Sequence, residues 1–245
     1  NKYPTGGSIR KGGPINDFDA IFFPSCTGTL FGTSDSAGAF MALAKRAGLR
    51  ISIPAGIDSL CCGTPWKSKG YASGYEVMSK AVAATLAKVT KGEQVTIVTD
   101  ASSCSGGLTE LLESQPHIRV VDSVQYVEEN ILPKLSITKV RSVALHPTCS
   151  TTSMGINGSL TNLAKAIADE VFIPENWGCC AFAGDRGMTF PELTASATLE
   201  QANEIKARED SFHISANRTC EIGMSKATGK KYRHILEVLE DMATP

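Results

Sequence analysis

The chain carries eight cysteines in the order single, adjacent pair, single, written twice: Cys26, Cys61 with Cys62, Cys104, then Cys149, Cys179 with Cys180, Cys220. The spacings are C-x34-CC-x41-C and C-x29-CC-x39-C, and the second set trails the first by 123, 118, 118 and 116 residues. No cysteine is left over. Internal duplication is the simplest source of this pattern, so the fold must be one that 245 residues can build twice.

The surroundings of the cysteines repeat as well. "AIFFPSC" is a short apolar run ending at Cys26, and "SVALHPTC" does the same at Cys149, each with a proline two residues before the thiol. "VTIVTDASSC" ends at Cys104 and "SFHISANRTC" at Cys220, and a helical pattern follows each, over residues 108–113 and from Glu221. Ser34 or Asp35 can cap a helix whose apolar face reads Phe40, Leu43, Ala44, Ala47 and which stops at Gly48. Its counterpart runs Leu160, Leu163, Ala164, Ile167. A longer helix over residues 71–91, with Gly92 as its stop, matches one running from Pro191, well placed at a first helical position, to residue 209. Residues 51–53 and 171–173 supply further strands.

Short buried strands alternating with helices predict an α/β fold of two pseudo-repeated halves, each a small parallel sheet flanked by helices. Cys26, Cys104, Cys149 and Cys220 are expected at strand ends, where open α/β sheets gather their ligands. The join falls near residues 135–140. The first half is expected over residues 19–137 and the second over 138–245, with the Gly/Pro-rich residues 1–18 as a linker-like start, as in a piece of a longer polypeptide.

Four thiols per half are the donor set of an iron–sulfur cluster or of a tetrahedral zinc site, and spacing alone leaves both open. A lone cysteine is more often a small buried hydrophobe, and a disulfide is a further alternative. The repeat argues for metal or redox chemistry instead, because a chain this long can build a core without disulfides. Adjacent cysteines reach one centre only if the backbone turns between them. Gly63, directly after Cys62, can take the positive φ that relieves such a turn, whereas Ala181 stands at the matching place after Cys180 and predicts a different loop there. His146, three residues before Cys149, is a candidate for a hydrogen bond to a cluster sulfur or for a proton. Asp100 and Ser102 before Cys104, and Asp185 with Arg186 after Cys180, are candidates for hydrogen bonds that tune the ligands, their alternative being an internal ion pair or a cap. Lys67 and Lys69 are candidates to face an anionic substrate or partner.

Composition excludes several classes. With 42% hydrophobic and 7% aromatic residues the chain is globular rather than disordered. Lys and Arg number 24 against 25 Asp and Glu, with no basic run, so no nucleic-acid partner is expected. No apolar stretch reaches the roughly 18 residues a membrane helix needs, and the start is not a signal peptide. The expected location is therefore cytoplasmic, with peripheral attachment to the inner face of the cytoplasmic membrane as a variant. "GCCAFAGDRG" contains glycines but no G-x-G-x-x-G after a strand, so it is not a nucleotide-binding turn.

"SLCCGTPWKSKGY", "ALHPTCS", "WGCCAFAGDRGM" with "PELTASA", and "SANRTCEIGMSKATGKKY" resemble the tandem cysteine-rich (CCG) domain of heterodisulfide reductases, glycolate oxidase iron–sulfur subunits and lactate-utilisation proteins. The flanking phrases are most similar to the carboxyl-terminal part of FAD-linked iron–sulfur D-lactate dehydrogenases, over nearly the whole chain from Asp19. The fuller family motif ends in C-x2-C, and Ala101 and Asn217 occupy the earlier position of each ending pair here, so four cysteines per half remain, enough for a cubane 4Fe–4S cluster or for zinc. The resemblance implies an electron-transfer module that passes electrons from flavin toward a quinone or another acceptor. FAD and ferredoxin-like domains would lie elsewhere in the parent protein, and this chain alone should not oxidise lactate. Two other readings stand beside it: a structural or docking module with zinc or no metal, and a catalytic unit acting on disulfides as in heterodisulfide reductase.

Overall fold

Each half of the chain winds one four-stranded parallel sheet. The computed structural model describes residues 3–4, 10–15, 17–32 and 35–244. The first half runs β1 (Ala20–Phe22), α1 (Cys26–Leu30), α2 (Ser36–Arg46), β2 (Ile51–Ser52), α3 (Thr64–Ser68), α4 (Ala72–Thr90), β3 (Val95–Thr99), α5 (Ser102–Leu111), β4 (Ile118–Asp122) and α6 (Ser123–Asn130). A short β5 (Ser136–Ile137) leads into β6 (Val140–Leu145), α7 (Cys149–Ser153), α8 (Asn157–Ile167), β7 (Ala168–Phe172), α9 (Arg186–Thr189), α10 (Pro191–Ala197) and α11 (Leu199–Lys206). β8 (Phe212–Ser215), α12 (Arg218–Thr228), β9 (Tyr232–His234), α13 (Ile235–Met242) and β10 (Ala243–Thr244) complete the chain. The strand orders are β2-β1-β3-β4 and β7-β6-β8-β9, the same order with each strand replaced by its counterpart, and every pairing within them is parallel. β5 and β10 pair antiparallel.

The central strands are apolar on both faces, as a sheet covered on both sides by helices requires. Ala20, Ile21 and Phe22 of β1 and Val143, Ala144 and Leu145 of β6 are fully buried. Asp35 caps α2, its Oδ1 accepting from the Gly38 amide at 3.0 Å, and Gly48 follows the helix in the left-handed region; Ser34, the other candidate cap, lies outside the described residues. Phe40, Leu43 and Ala44 of α2 are buried as their spacing predicts, and so are Leu160, Leu163, Ala164 and Ile167 of α8. The structure differs from expectation in two respects. The span from Pro191 divides at Thr198 into α10 and α11, although Thr198 N still donates to the Thr194 carbonyl at 3.0 Å and its Oγ1 to the same carbonyl at 2.7 Å. α5 begins at Ser102 and α12 at Arg218, so Cys104 and Cys220 sit in the first turn of a helix rather than at the end of a strand; Cys26 and Cys149 likewise open α1 and α7.

The halves pack through matching pairs of helices. α2 lies on α13 as α8 lies on α6, and α1 meets α12 as α7 meets α5. Exchanging each element for its counterpart maps one contact onto the other, which is a pseudo-twofold relation. One core runs across this junction, including Phe40, Tyr126, Leu160, Leu163, Val238 and Leu239. Residues of the Gly/Pro-rich start are tied down rather than free. Arg10 donates to the Pro24 carbonyl at 2.9 Å and the Leu60 carbonyl at 2.5 Å, Gly13 bridges to Pro54, and the Tyr3 hydroxyl donates to the Gly187 carbonyl at 2.6 Å.

The same capping position carries different chemistry in the two halves. Asp122 caps α6, accepting from the Val124 amide at 2.9 Å and the Ser105 hydroxyl at 2.8 Å, while His234 caps α13 through Nδ1 to the Leu236 amide at 3.2 Å. Burial pushes the Asp122 carboxyl up to about 6, with the charge of Asp100 adding to it. Because folding raises this acid above its ordinary 3.8, its protonated form stabilises the fold fully below that value, and the contribution is lost as pH rises through about 6. The span corresponds to about 3 kcal/mol. Denaturant unfolding at pH 4 and pH 7 should therefore show Asp122→Asn relatively more stable at pH 7 by about that amount; an identical pH dependence in both proteins would contradict the assignment.

Candidate metal centres

In the first half three separate segments deliver four sulfurs. Ser25 caps α1 and sets Cys26 at its start, with the Gly28 amide donating to Ser25 Oγ at 3.4 Å. The buried Asp100, just after β3, fixes that turn: its Oδ1 accepts from the Ser25 amide and its Oδ2 from the Ser36 hydroxyl, both at 2.6 Å. Cys61 and Cys62 precede α3, and Cys104 lies in the first turn of α5. The four thiols adjoin one another in series, Cys26 beside Cys61, Cys61 beside Cys62 and Cys62 beside Cys104. Bonds from Cys26 and then Cys62 pull the Cys61 thiol down to about 3, helped by the Gly63 amide and the Arg10 guanidinium. In return the bond to Cys61 and burial push Cys26 up, and the bonds to Cys104 and Cys61 together with burial push Cys62 up. One negative charge concentrated within a thiol cluster is the state that a cation would relieve.

The second half repeats the construction. Thr148 and Thr151 form a reciprocal capping box at the start of α7, with both amide-to-hydroxyl bonds at 3.0 Å, and this places Cys149. Cys179 bonds to Cys149 and to Cys180, and the Cys180 and Cys220 sulfurs are 3.1 Å apart. The bond to Cys180 and burial push Cys179 up, while burial and the charge of Cys179 push Cys149 up. Cys180 and Cys220 are buried like Cys62 and Cys104, but Cys149 and Cys179 are exposed where Cys26 and Cys61 are half-buried. All eight are free thiols, so neither adjacent pair is a vicinal disulfide.

The turn after each adjacent pair has the same hand. Gly63 has φ +87° and Ala181 has φ +53°, and each contributes an amide hydrogen to the sulfur two residues earlier, with Ala181 N to Cys179 Sγ at 3.3 Å. The different loop expected at Ala181 is thus a difference in strain rather than in direction. An alanine in the left-handed region costs about 1 kcal/mol, and Ala183 at φ +43° repeats the cost. At Gly63 a side chain is excluded twice, since its Cβ would lie 2.7 Å from Tyr75 Cε2.

The remaining sequence candidates separate. Asp100 supports the first site, as described. Ser102 reaches across to the second half, bonding Thr148 Oγ1 at 3.3 Å and the Ser150 hydroxyl, one on each side of Cys149. Asp185 is paired with Lys69 Nζ at 2.7 Å rather than with a thiol, and Lys67 pairs with Glu110, both pairs lying on the exposed surface. Arg186 is exposed at the start of α9. Ala101 and Asn217, at the positions of the absent fifth cysteines, are the buried N-caps of α5 and α12. His146 is buried beside Cys180 and Cys220, the three donor atoms lying within 4.8 Å of one another.

Three residues escaped the sequence reading. Gly107 and Gly223 each stand three residues after the last cysteine of their half, a C-x2-G repeat visible as "CSGG" and "CEIG". At Gly107 a Cβ would lie 2.2 Å from Thr64 Oγ1 and 2.9 Å from the Cys62 carbonyl, so α5 passes the paired-cysteine loop at the closest distance that glycine permits. At Gly223 the nearest atom is Phe182 Cδ2 at 3.3 Å. Arg10, which grips the carbonyls just before both Cys26 and Cys61, has no counterpart in the repeat and left no signal.

Two clusters of four free thiols, on matching turns of duplicated parallel-sheet halves, define a tandem cysteine-rich domain. The chain belongs to the CCG cysteine-rich domain family, whose family model matches residues 20–109 and 143–225. It is similar to the glycolate oxidase iron–sulfur subunit of Escherichia coli (strain K12), with 26% identity over 125 residues. That stretch is 49% of this chain and 30% of the relative, so the chain spans well under two thirds of the relative's length. Among solved structures, glutamate racemase from Aquifex pyrophilus matches at TM-score 0.38 and 16% identity, covering 90% of this chain and 80% of that one. Picrophilus torridus aspartate racemase matches at TM-score 0.37 and 11% identity, covering 90% of both chains.

Proposed function

We propose that each half holds a 4Fe–4S cluster and that the chain is the electron-relaying part of an FAD-linked oxidoreductase acting on a D-2-hydroxy acid of the D-lactate type. The observation that carries this reading is the gathering of four free thiols in each half, each beside another of its own set, with the Cys180 and Cys220 sulfurs 3.1 Å apart. Cys26, Cys61, Cys62 and Cys104 would hold one centre, and Cys149, Cys179, Cys180 and Cys220 the other. Donors from loops far apart in sequence fit a group that is bound only by the folded chain. When bound, such clusters supply one-electron transfer. The chain's own residues arrange the rest. The amides of Gly63 and Ala181 donate to ligand sulfurs, Arg10 sets a positive charge beside Cys61, and Asp100 holds the turn that delivers Cys26. The family and the name of the relative support the iron–sulfur reading. A flavin domain, a ferredoxin-like domain and a quinone or another acceptor are the partners this reading requires. Free thiols in these numbers suit a reducing compartment, hence the cytoplasm or the inner face of its membrane.

Anaerobic reconstitution with iron and sulfide tests it. The expected product is brown and holds about eight irons per chain, four for each four-thiolate site. A colourless protein that takes up zinc and excludes iron would overturn it.

A further inference from the structure

We propose that His146 Nε2 is itself a ligand of the second centre, so that the two halves hold chemically different centres: all-thiolate in the first, mixed thiolate and imidazole in the second. The inference rests on the reading that the thiol clusters bind metal, and it concerns the one place where the duplicated sites differ in donor chemistry.

His146 follows β6 as Phe23 follows β1, each three residues before the first cysteine of its half. Their backbones are held alike, His146 N donating to the Ile214 carbonyl at 2.9 Å and Phe23 N to the Val98 carbonyl at 2.8 Å. Both side chains are about 1% exposed. The duplication therefore keeps the position and changes only what fills it, an inert ring in one half and an imidazole in the other.

The imidazole is oriented for ligation. Its Nδ1 lies 3.1 Å from Oε1 of the fully buried Gln201, whose Nε2 donates to the Gly178 carbonyl at 3.5 Å. With Gln201 Oε1 as acceptor, Nδ1 carries the proton and Nε2 keeps its lone pair. A metal-bound histidine has this arrangement, with one nitrogen fixed by a hydrogen bond and the other free to coordinate. Nε2 is buried without a hydrogen-bond partner, and a ring nitrogen of His146 lies within 4.8 Å of the Cys180 and Cys220 sulfurs. An unmet buried nitrogen is costly, and a cation among those sulfurs would satisfy it. Where the imidazole takes the place of one of the four thiolates, as histidines do when they replace cysteines on an iron–sulfur centre, it lowers the negative charge and favours the reduced form; the exposed Cys149 or Cys179 is the thiolate it would replace, since Cys180 and Cys220 lie beside it. The second centre should then be the easier of the two to reduce, and electrons should rest there.

The test uses the chain labelled with 15N-histidine, reconstituted with iron, reduced, and examined by pulsed electron paramagnetic resonance. A nitrogen coupling that changes with the label is expected, absent from His146→Phe, with the second centre of that variant becoming harder to reduce. Iron in both halves with no histidine coupling in the labelled wild type overturns the inference without any need for the variant to fold. If no iron binds at all, the cluster reading fails instead, and zinc titration of the second site in a Cys62→Ser background decides the inference: affinity lower by about tenfold or more in His146→Phe supports ligation, and equal affinity overturns it.

Discussion

Cys62→Ser should cut the iron bound after reconstitution from about eight per chain to about four, Cys180→Ser should do the same from the other half, and the double variant should bind none. Cys62 is buried and bonded to both Cys61 and Cys104, so it lies at the inner side of the first cluster, and Cys180 beside Cys220 is its counterpart. Serine offers a harder oxygen on a shorter bond, a poor donor for a centre that soft sulfur holds. Each loss should stay within its own half, because the thiols of each set adjoin thiols of that set and none of the other. Circular dichroism should be unchanged. In the flavin-linked oxidoreductase proposed above, the Cys62→Ser variant should leave flavin reduction by substrate intact while onward electron transfer fails. Full iron in the double variant would remove these cysteines from the ligand set.

Gly107→Ala carries the second large effect. The new methyl would stand 2.2 Å from Thr64 Oγ1 and 2.9 Å from the Cys62 carbonyl, and only the first of these can move cheaply. Thr64 Oγ1 is committed on both sides, donating to the Ser103 carbonyl at 3.0 Å and accepting from the Cys62 thiol at 3.4 Å. Overpacking of this kind costs about 1–3 kcal/mol, and here it would displace the paired cysteines themselves. Iron should fall in the first half alone, with the unfolding midpoint reduced. Gly223→Ala meets Phe182 Cδ2 at 3.3 Å and Thr194 Cγ2 at 3.5 Å and should cost about 1 kcal/mol or less. Equal effects from the two glycines would contradict the close approach at α5.

The duplication was legible because cysteines are rare and chemically committed, so eight of them at repeated offsets carried the architecture and pointed to the two candidate centres. The positive φ at Gly63 was legible for the reason that glycine is the residue tolerating it, and the same logic overstated the difference at Ala181, where the loop closes in the same hand and absorbs the strain. His146 was placed by its nearness in sequence to Cys149, yet the fold sets it against Cys180 and Cys220, which come from loops over thirty residues away. Ion pairs such as Lys69 with Asp185, which joins the two paired-cysteine loops, depend on how the halves pack and have no local pattern.

The exchange of helix contacts between the halves, α2 on α13 with α8 on α6, is the contact a twofold homodimer makes. A single-repeat ancestor would have met a second copy of itself through those same surfaces, with two identical centres imposed by symmetry. Joining the copies into one polypeptide lifts that constraint. A change such as phenylalanine against histidine at positions 23 and 146 can then be inherited by one site alone, which gives the pair a direction that no symmetric assembly has.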